Sequence, residues 1–171
     1  MQNHFELFGL APAFGLDSAA LDQAYREIQS RVHPDRFAHA GDAERRASMQ
    51  WTTRVNEAYR TLKNPVQRAK HILELHGVDV EFETNTQMPT DFLLQQLELR
   101  EELEAATAKK DAAGLDALRS RLRGEKDMLE GQIAVAIDGK RDFGAAAGQV
   151  RKLMFLDRLD AEIDEAHEAI E

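Results

Sequence analysis

Apolar residues recur along this chain at helical spacing, in separate blocks. Leu21, Tyr25, Ile28 and Val32 stand at i, i+4, i+7 and i+11, one face of a helix for which Asp17 or Ser18 offers the N-cap. Ala47, Trp51, Val55, Ala58, Tyr59 and Leu62 supply the buried face of a helix over roughly 43–63, with Asp42 as its cap. Asn64-Pro65 reads as N-cap and first-turn proline of a helix over 65–76, with Ile72, Leu73 and Leu75 as its apolar contacts and Gly77 just past its end. A short apolar turn or helix over 3–9 precedes them. Residues 77–88 carry turn formers and read as a linker.

Three longer segments follow, about 89–107, 111–138 and 142–169. Leu115, Leu118, Leu122, Leu129 and Ile133 run close to a heptad in the middle one, and Leu156, Leu159, Ile163 and Ile170 line one side of the last. Asp142 is the expected cap of that last helix. Three such stripes bury each other in a bundle or antiparallel coil. No run alternates as a strand would. The expectation is an all-α chain: a helical domain over 1–76, a linker over 77–88 and a three-helix bundle over 89–171.

Two places break the simple pattern. At the first, Pro34 ends the helix before it and forces the preceding residue out of helical geometry. The loop that follows, about eight residues, displays His33 and Asp35 on a stiffened bend, followed by Arg36-Phe37. At the second, the helix near 89–107 has more apolar residues than one stripe needs. Met88, Phe92, Leu99 and Leu103 share the core face at 100° per residue. Leu93, Leu94 and Leu97 fall on the opposite side, bordered by Glu98, Glu101 and Glu104. Such a patch either packs on the first domain or a dimer partner, or is a docking surface for an apolar spot with basic neighbours. Phe155 lies at the margin of its own helix's buried face, half core and half contact by position.

Charge and composition narrow the function. The net charge of −9 argues against general nucleic-acid binding. From Arg36 to Lys70 there are eight Lys or Arg against three acids, whereas from Thr84 onward there are 19 acids and 12 bases. Two surfaces for two partners, or simply solvated helix faces, account for that asymmetry. With no cysteine, thiolate catalysis, disulfides and Cys-ligated metal are excluded for this chain. No secretory signal or membrane-spanning run is present, so a soluble cytoplasmic protein is expected. His33, Asp35 and His39 lie within seven residues, but a proline-broken loop lacks i, i+4 geometry and no fourth ligand is evident, so no metal is expected. His33 and Asp35 as an acid–base dyad lack a nucleophile or oxyanion device, and no glycine-rich phosphate loop exists. No enzyme activity and no cofactor are expected.

Tyr25-Arg26, His33-Pro34-Asp35-Arg36-Phe37, Asn56-Glu57-Ala58-Tyr59 with Leu62, and Asn64-Pro65 with Arg68-Ala69 resemble the J domain of DnaJ-type co-chaperones, over roughly residues 1–76. The remaining chain resembles the HscB iron–sulfur co-chaperones. That likeness rests on Leu75-His76-Gly77, the run from Phe92 to Leu103, and Val150-Arg151-Lys152-Leu153 with Phe155-Leu156-Asp157. The resemblance implies an L-shaped molecule whose J domain docks on the DnaK-type chaperone HscA and stimulates its ATP hydrolysis. His33, Pro34 and Asp35 would carry that stimulation, with Arg26, Arg31 and Arg36 adding positive charge. It also implies that the bundle holds the cluster scaffold IscU through Leu93, Leu94, Leu97, Glu98, Glu101 and Phe155. Val32 stands where J domains usually carry an aromatic, and Ala105 where the family pattern can carry an acid. The rival readings are a J protein serving another client, a metal-dependent hydrolase on His33, Asp35 and His39, and a helical adaptor with an inert loop.

Overall fold

The computed structural model describes residues 2–80 and 88–171. Contacts divide the chain into two compact units, Met1–Ile72 and Leu73–Glu171. Among the described residues every regular element is helical: α1 (His4–Leu7), α2 (Ser18–Val32), a 3-10 turn (Pro34–Phe37), α3 (Asp42–Lys63), α4 (Pro65–Leu75), α5 (Thr90–Ala108), α6 (Ala112–Ala134) and α7 (Phe143–Ile170).

In the first unit α2 and α3 form an antiparallel hairpin. Asp17 caps α2, its carboxylate accepting from the Ala19 and Ala20 N–H groups. Leu21, Val55, Ala58 and Leu62 are fully buried, each large side chain contributing roughly 1.5–3 kcal/mol. Polar ties run along the seam. Tyr25 and Tyr59 stack at 4.0 Å; the Tyr25 hydroxyl donates to Asn56 Oδ1 at 2.7 Å, and the Tyr59 hydroxyl to Asp22 Oδ1 at 2.7 Å. Lys63 Nζ meets Asp22 at 2.9 Å and Ser18 Oγ at 2.7 Å. The Tyr59 hydrogen bond, followed by that of Lys63, holds Asp22 below the usual carboxylate range.

The helix after Asn64 starts as its sequence implies: Asn64 Oδ1 accepts from the Gln67 N–H at 3.1 Å. Arg68 donates to the Leu62 carbonyl at 2.8 Å and lies 4.8 Å over the Phe14 ring, fixing the α3–α4 corner. Three sequence expectations need correction. Ala47 and Trp51 are not core: Trp51 is 41% exposed with the Arg54 guanidinium 5.2 Å over its ring. Leu75 is likewise exposed, because the apolar contacts of α4 come from Val66, Ala69, Ile72 and Leu73. Gly41, not Asp42, is the N-cap of α3, and Asp42 instead pairs with Arg45.

The second unit is the expected three-helix bundle. Phe92, Leu99 and Leu103 of α5 meet the Leu115–Ile133 stripe of α6 and the inner face of α7, with Leu115, Leu122, Leu153, Leu156, Leu159 and Ile163 almost fully enclosed. A charge ladder flanks the α6–α7 seam: Lys126 Nζ lies 2.7 Å from Asp157 and 3.4 Å from Asp160, and Arg119 joins Asp160 and Asp164. Burial alone would lower the Lys126 pKa, but the Asp157 hydrogen bond and charge outweigh it and raise it. The α6 helix does not stay regular to 138. Its last turn widens into a π turn, Val135–Gly139, closed by the Lys140 N–H on the Val135 carbonyl at 2.8 Å. Asp142 caps α7 through the Ala145 N–H at 3.1 Å. Of the expected linker, residues 81–87 lie outside the described residues. Val80 is buried, and its carbonyl accepts from Arg151 Nε at 3.1 Å.

His71 sits in the first unit, its ring stacked on His4 at 4.3 Å and its Nε2 accepting the His4 backbone N–H at 3.2 Å. Burial, aided by the His4 charge, pushes its pKa down to about 4. Between pH 6.5 and 4 the unfolded chain therefore binds more protons than the folded one, and stability falls as pH is lowered across that window. The expected loss is on the order of 2 kcal/mol once residual solvent screening is allowed for. Urea unfolding at pH 7.5 and 4.5 checks this: His71→Gln flattens the difference attributable to this side chain.

Candidate functional site

The bend at Pro34 is held from behind. Helix α2 ends at Val32, and its last carbonyls need donors from outside the helix. Ser48 Oγ and Thr52 Oγ1, one turn apart on α3, both reach the Val32 carbonyl, Thr52 at 3.2 Å. Ser48 is buried, the one polar side chain in the core among the described residues. Arg36 Nη1 reaches back to the Ser30 carbonyl at 3.1 Å. Two helices thus grip one loop at its base.

At the tip, His33 adopts an extended conformation and Pro34 starts a 3-10 turn, which gives the expected stiffened bend its form. The turn closes through the Arg36 N–H on the His33 carbonyl at 3.0 Å. His33 Nδ1 accepts the Asp35 N–H at 3.2 Å. The Asp35 carboxylate is 93% exposed and 3.5 Å from His33 Nδ1. The loop therefore offers a carboxylate and an imidazole on a preorganised turn, with little ordering entropy left to lose when a partner cation engages it. Arg26 and Arg31 are exposed on α2; Arg36 is exposed too, though partly committed to the helix end. Among the described residues no group of three or more His, Cys, Asp or Glu side chains converges to hold a metal ion.

The second feature lies on α5. Phe92, Leu99 and Leu103 are buried, whereas Leu93, Leu94 and Leu97 are 39%, 55% and 60% exposed. Glu98, Glu101, Glu104 and Ala105 are exposed beside them. The helix is fixed at both flanks, by Gln95 to Glu125 of α6 at 2.9 Å and by Arg100 to Glu162 of α7 at 2.9 Å. Its rotation about its axis is set, and the leucines point away from the bundle. Phe155 departs from the expectation. It is only 5% exposed, packed edge-on against Phe92 at 5.7 Å and covered by the Arg100 guanidinium at 5.5 Å. It supports α5 from below and presents no contact face of its own.

Sequence reading passed over Ser48 and Thr52. Their spacing carried a signal, because Ser48, Thr52, Val55, Tyr59 and Leu62 fall at i, i+4, i+7, i+11 and i+14. Hydroxyls at the loop end of a stripe otherwise apolar have to satisfy something buried.

A helical hairpin displaying histidine, proline and aspartate at its bend, joined to a helical bundle, is the arrangement of a J-domain co-chaperone. A family model described as the HSCB C-terminal oligomerisation domain matches residues 88–164. The co-chaperone protein HscB homolog of Burkholderia vietnamiensis is 50% identical over 99% of this chain and 96% of its own length; that of Ralstonia nicotianae is 52% identical over 95% and 93%. Among solved structures, the chaperone HscB from Vibrio cholerae superposes with a TM-score of 0.86 at 37% identity, covering 99% of this chain and all of that one. Human co-chaperone protein HscB gives 0.91 at 27% identity, covering 96% and 82%. The chain belongs to the HscB co-chaperone family, and its role is that of a co-chaperone in iron–sulfur cluster biogenesis.

Two substitutions separate surface from support. Leu94→Ala is expected to change stability by no more than about 0.5 kcal/mol, while Phe155→Ala costs roughly 3–5 kcal/mol, both read from urea unfolding. Ser48→Ala leaves the Val32 carbonyl to Thr52 alone. It is expected to cost roughly 1–2 kcal/mol and to speed amide exchange over 33–37, measured by hydrogen-exchange mass spectrometry.

Proposed function

We propose that the protein carries an iron–sulfur scaffold of the IscU kind to a DnaK-type chaperone of the HscA kind and stimulates that chaperone's ATP hydrolysis, so aiding cluster assembly or transfer. The observation that carries this reading is the exposed Asp35 carboxylate on a loop pinned by Ser48, Thr52 and Arg36. A chaperone arginine meeting a preorganised carboxylate gains a charge-assisted hydrogen bond at low entropic cost. Differential affinity for the hydrolysing conformation is then enough to shift the chaperone toward it. Arg26 and Arg31 add positive charge beside the loop and suit an acidic groove on the chaperone.

The scaffold is gripped at Leu93, Leu94 and Leu97, with Glu98 and Glu101 pairing basic neighbours on the client. Holding both partners at once raises the local concentration of client at the chaperone, without new contacts between those two. The protein does no covalent chemistry and needs no cofactor for this role. Its place of work is the cytoplasm.

Steady-state ATP turnover by the HscA-type chaperone, with and without this protein and the scaffold, tests the proposal. Asp35→Asn and His33→Gln are expected to abolish stimulation while circular dichroism stays unchanged, since both side chains are exposed. Isothermal titration separates the client: Leu97→Ala weakens scaffold binding about tenfold. Undiminished stimulation by Asp35→Asn would mark the loop as inert. Stimulation without scaffold binding would point to a different client.

A further inference from the structure

The turn that carries Asp35 has a shape and an aim, and different bonds set them. Its shape is internal. The Arg36 N–H closes on the His33 carbonyl at 3.0 Å, and the Asp35 N–H on His33 Nδ1 at 3.2 Å. Its aim is the direction in which the closed turn leaves α2. The peptide joining Val32 to His33 is planar, so that direction hangs on two dihedrals, ψ of Val32 and φ of His33. Neither bond within the turn governs them.

Two side chains do. The angle ψ of Val32 sets where the Val32 carbonyl points, and Ser48 Oγ donates to that oxygen from α3. Thr52 Oγ1 lies 3.2 Å from the same oxygen but 2.9 Å from the Ser48 carbonyl of its own helix, and a hydroxyl has one proton to give. The shorter of its two bonds stays within α3, so Ser48 is the committed donor to Val32. Arg36 restrains what is left. Its guanidinium belongs to the turn and its acceptor, the Ser30 carbonyl, to α2, so this bond at 3.1 Å spans the joint and limits rotation about φ of His33. With both bonds made, the turn does not swing without breaking one.

We propose that Ser48 and Arg36 are positioning residues for the stimulation of ATP hydrolysis: they hold the direction in which Asp35 is offered, Ser48 from α3 and Arg36 from within the turn. Ser48, 4% exposed, is closed to any partner and works only through Val32. Arg36, which the resemblance counts among the charges around the loop, has its Nη1 turned back onto α2. The consequence is a matter of rate more than of affinity. Arg26 and Arg31 are exposed on α2 and hold the chaperone whatever the turn does. A turn out of aim therefore gives a complex that is bound but unproductive, and the maximal rate falls by the fraction misdirected.

The inference rests on the reading of Asp35 as the chaperone contact, and one series of measurements tells their failures apart. Steady-state ATP turnover by the HscA-type chaperone is followed against rising concentrations of the full chain as wild type, Ser48→Ala, Arg36→Gln, the two combined, Asp35→Asn and Val66→Ala, at a temperature where circular dichroism shows each to be folded. Each single variant is expected to lower maximal stimulation about threefold and the pair about tenfold, with the half-saturating concentration moving less than about twofold. Val66→Ala, a core loss on α4, is expected to leave the maximum unchanged. Arg36 is exposed, so its variant carries the test if Ser48→Ala folds poorly. A raised half-saturating concentration with the maximum kept overturns the inference. For Ser48→Ala it would mean lost folded protein alone; for Arg36→Gln, with the difference from wild type shrinking as salt is added, a docking charge. Full stimulation by both variants while Asp35→Asn is inactive also overturns it and leaves the reading of Asp35 standing. Asp35→Asn as active as wild type removes that reading and the inference with it.

Discussion

Pro34 has no N–H to donate, and its ring bars helical geometry at the residue before it. From that constraint the first unit's functional geometry follows. Helix α2 must stop, the Val32 carbonyl must find donors elsewhere, and Ser48 and Thr52 on α3 supply them. The same two bonds that satisfy a helix end fix the bend against the opposite helix. Asp35 and His33 then stand on a short 3-10 turn that leaves them accessible and still. Further along the hairpin, the Tyr25–Tyr59 stack and the Asp22–Tyr59–Lys63 group hold the helices in register. Loop position thus depends on seam contacts well away from it.

The bundle resolves a different tension. Helix α5 is apolar on two sides, and a helix free to roll would bury whichever side packs better. Gln95 and Arg100 prevent this by tying opposite flanks to α6 and α7. Phe92 and Phe155 fill the space beneath them edge to face. The leucines left outside are a standing solvation cost, of the kind a protein retains where a partner removes it.

Much of this was readable in the residues. The helix blocks, the bundle stripes and the outward set of leucines follow from spacing, and residue type marks the caps, Asp142 for α7 and Asp17 or Ser18 for α2, of which the structure uses Asp17. The misreadings share one cause. Periodicity locates a face, but what covers that face at each turn is a tertiary fact. Trp51 falls inside its stripe, between Ala58 and Leu62 at 100° per residue, yet the neighbouring elements leave it open, whereas Phe155, at the margin of its own, is closed over by Phe92 and Arg100. The irregular end of α6 was invisible for another reason. Nothing in the composition of Val135 to Gly139 distinguishes a π turn from a regular one, and its neighbour α7 is met only in the fold. Ser48 and Thr52 were legible in principle, yet small hydroxyls on a helix draw no notice until the carbonyl that needs them is located.

The exposed indole on α3 has a practical corollary. Trp51 is the only tryptophan in the chain, and it lies in the first unit, partly open to water and stacked beneath a guanidinium. Intrinsic fluorescence is therefore a local gauge. Its quenching or blue shift reports on the α3 surface, and a denaturation curve followed by its emission records the melting of Met1–Ile72 while the bundle's own transition passes unseen.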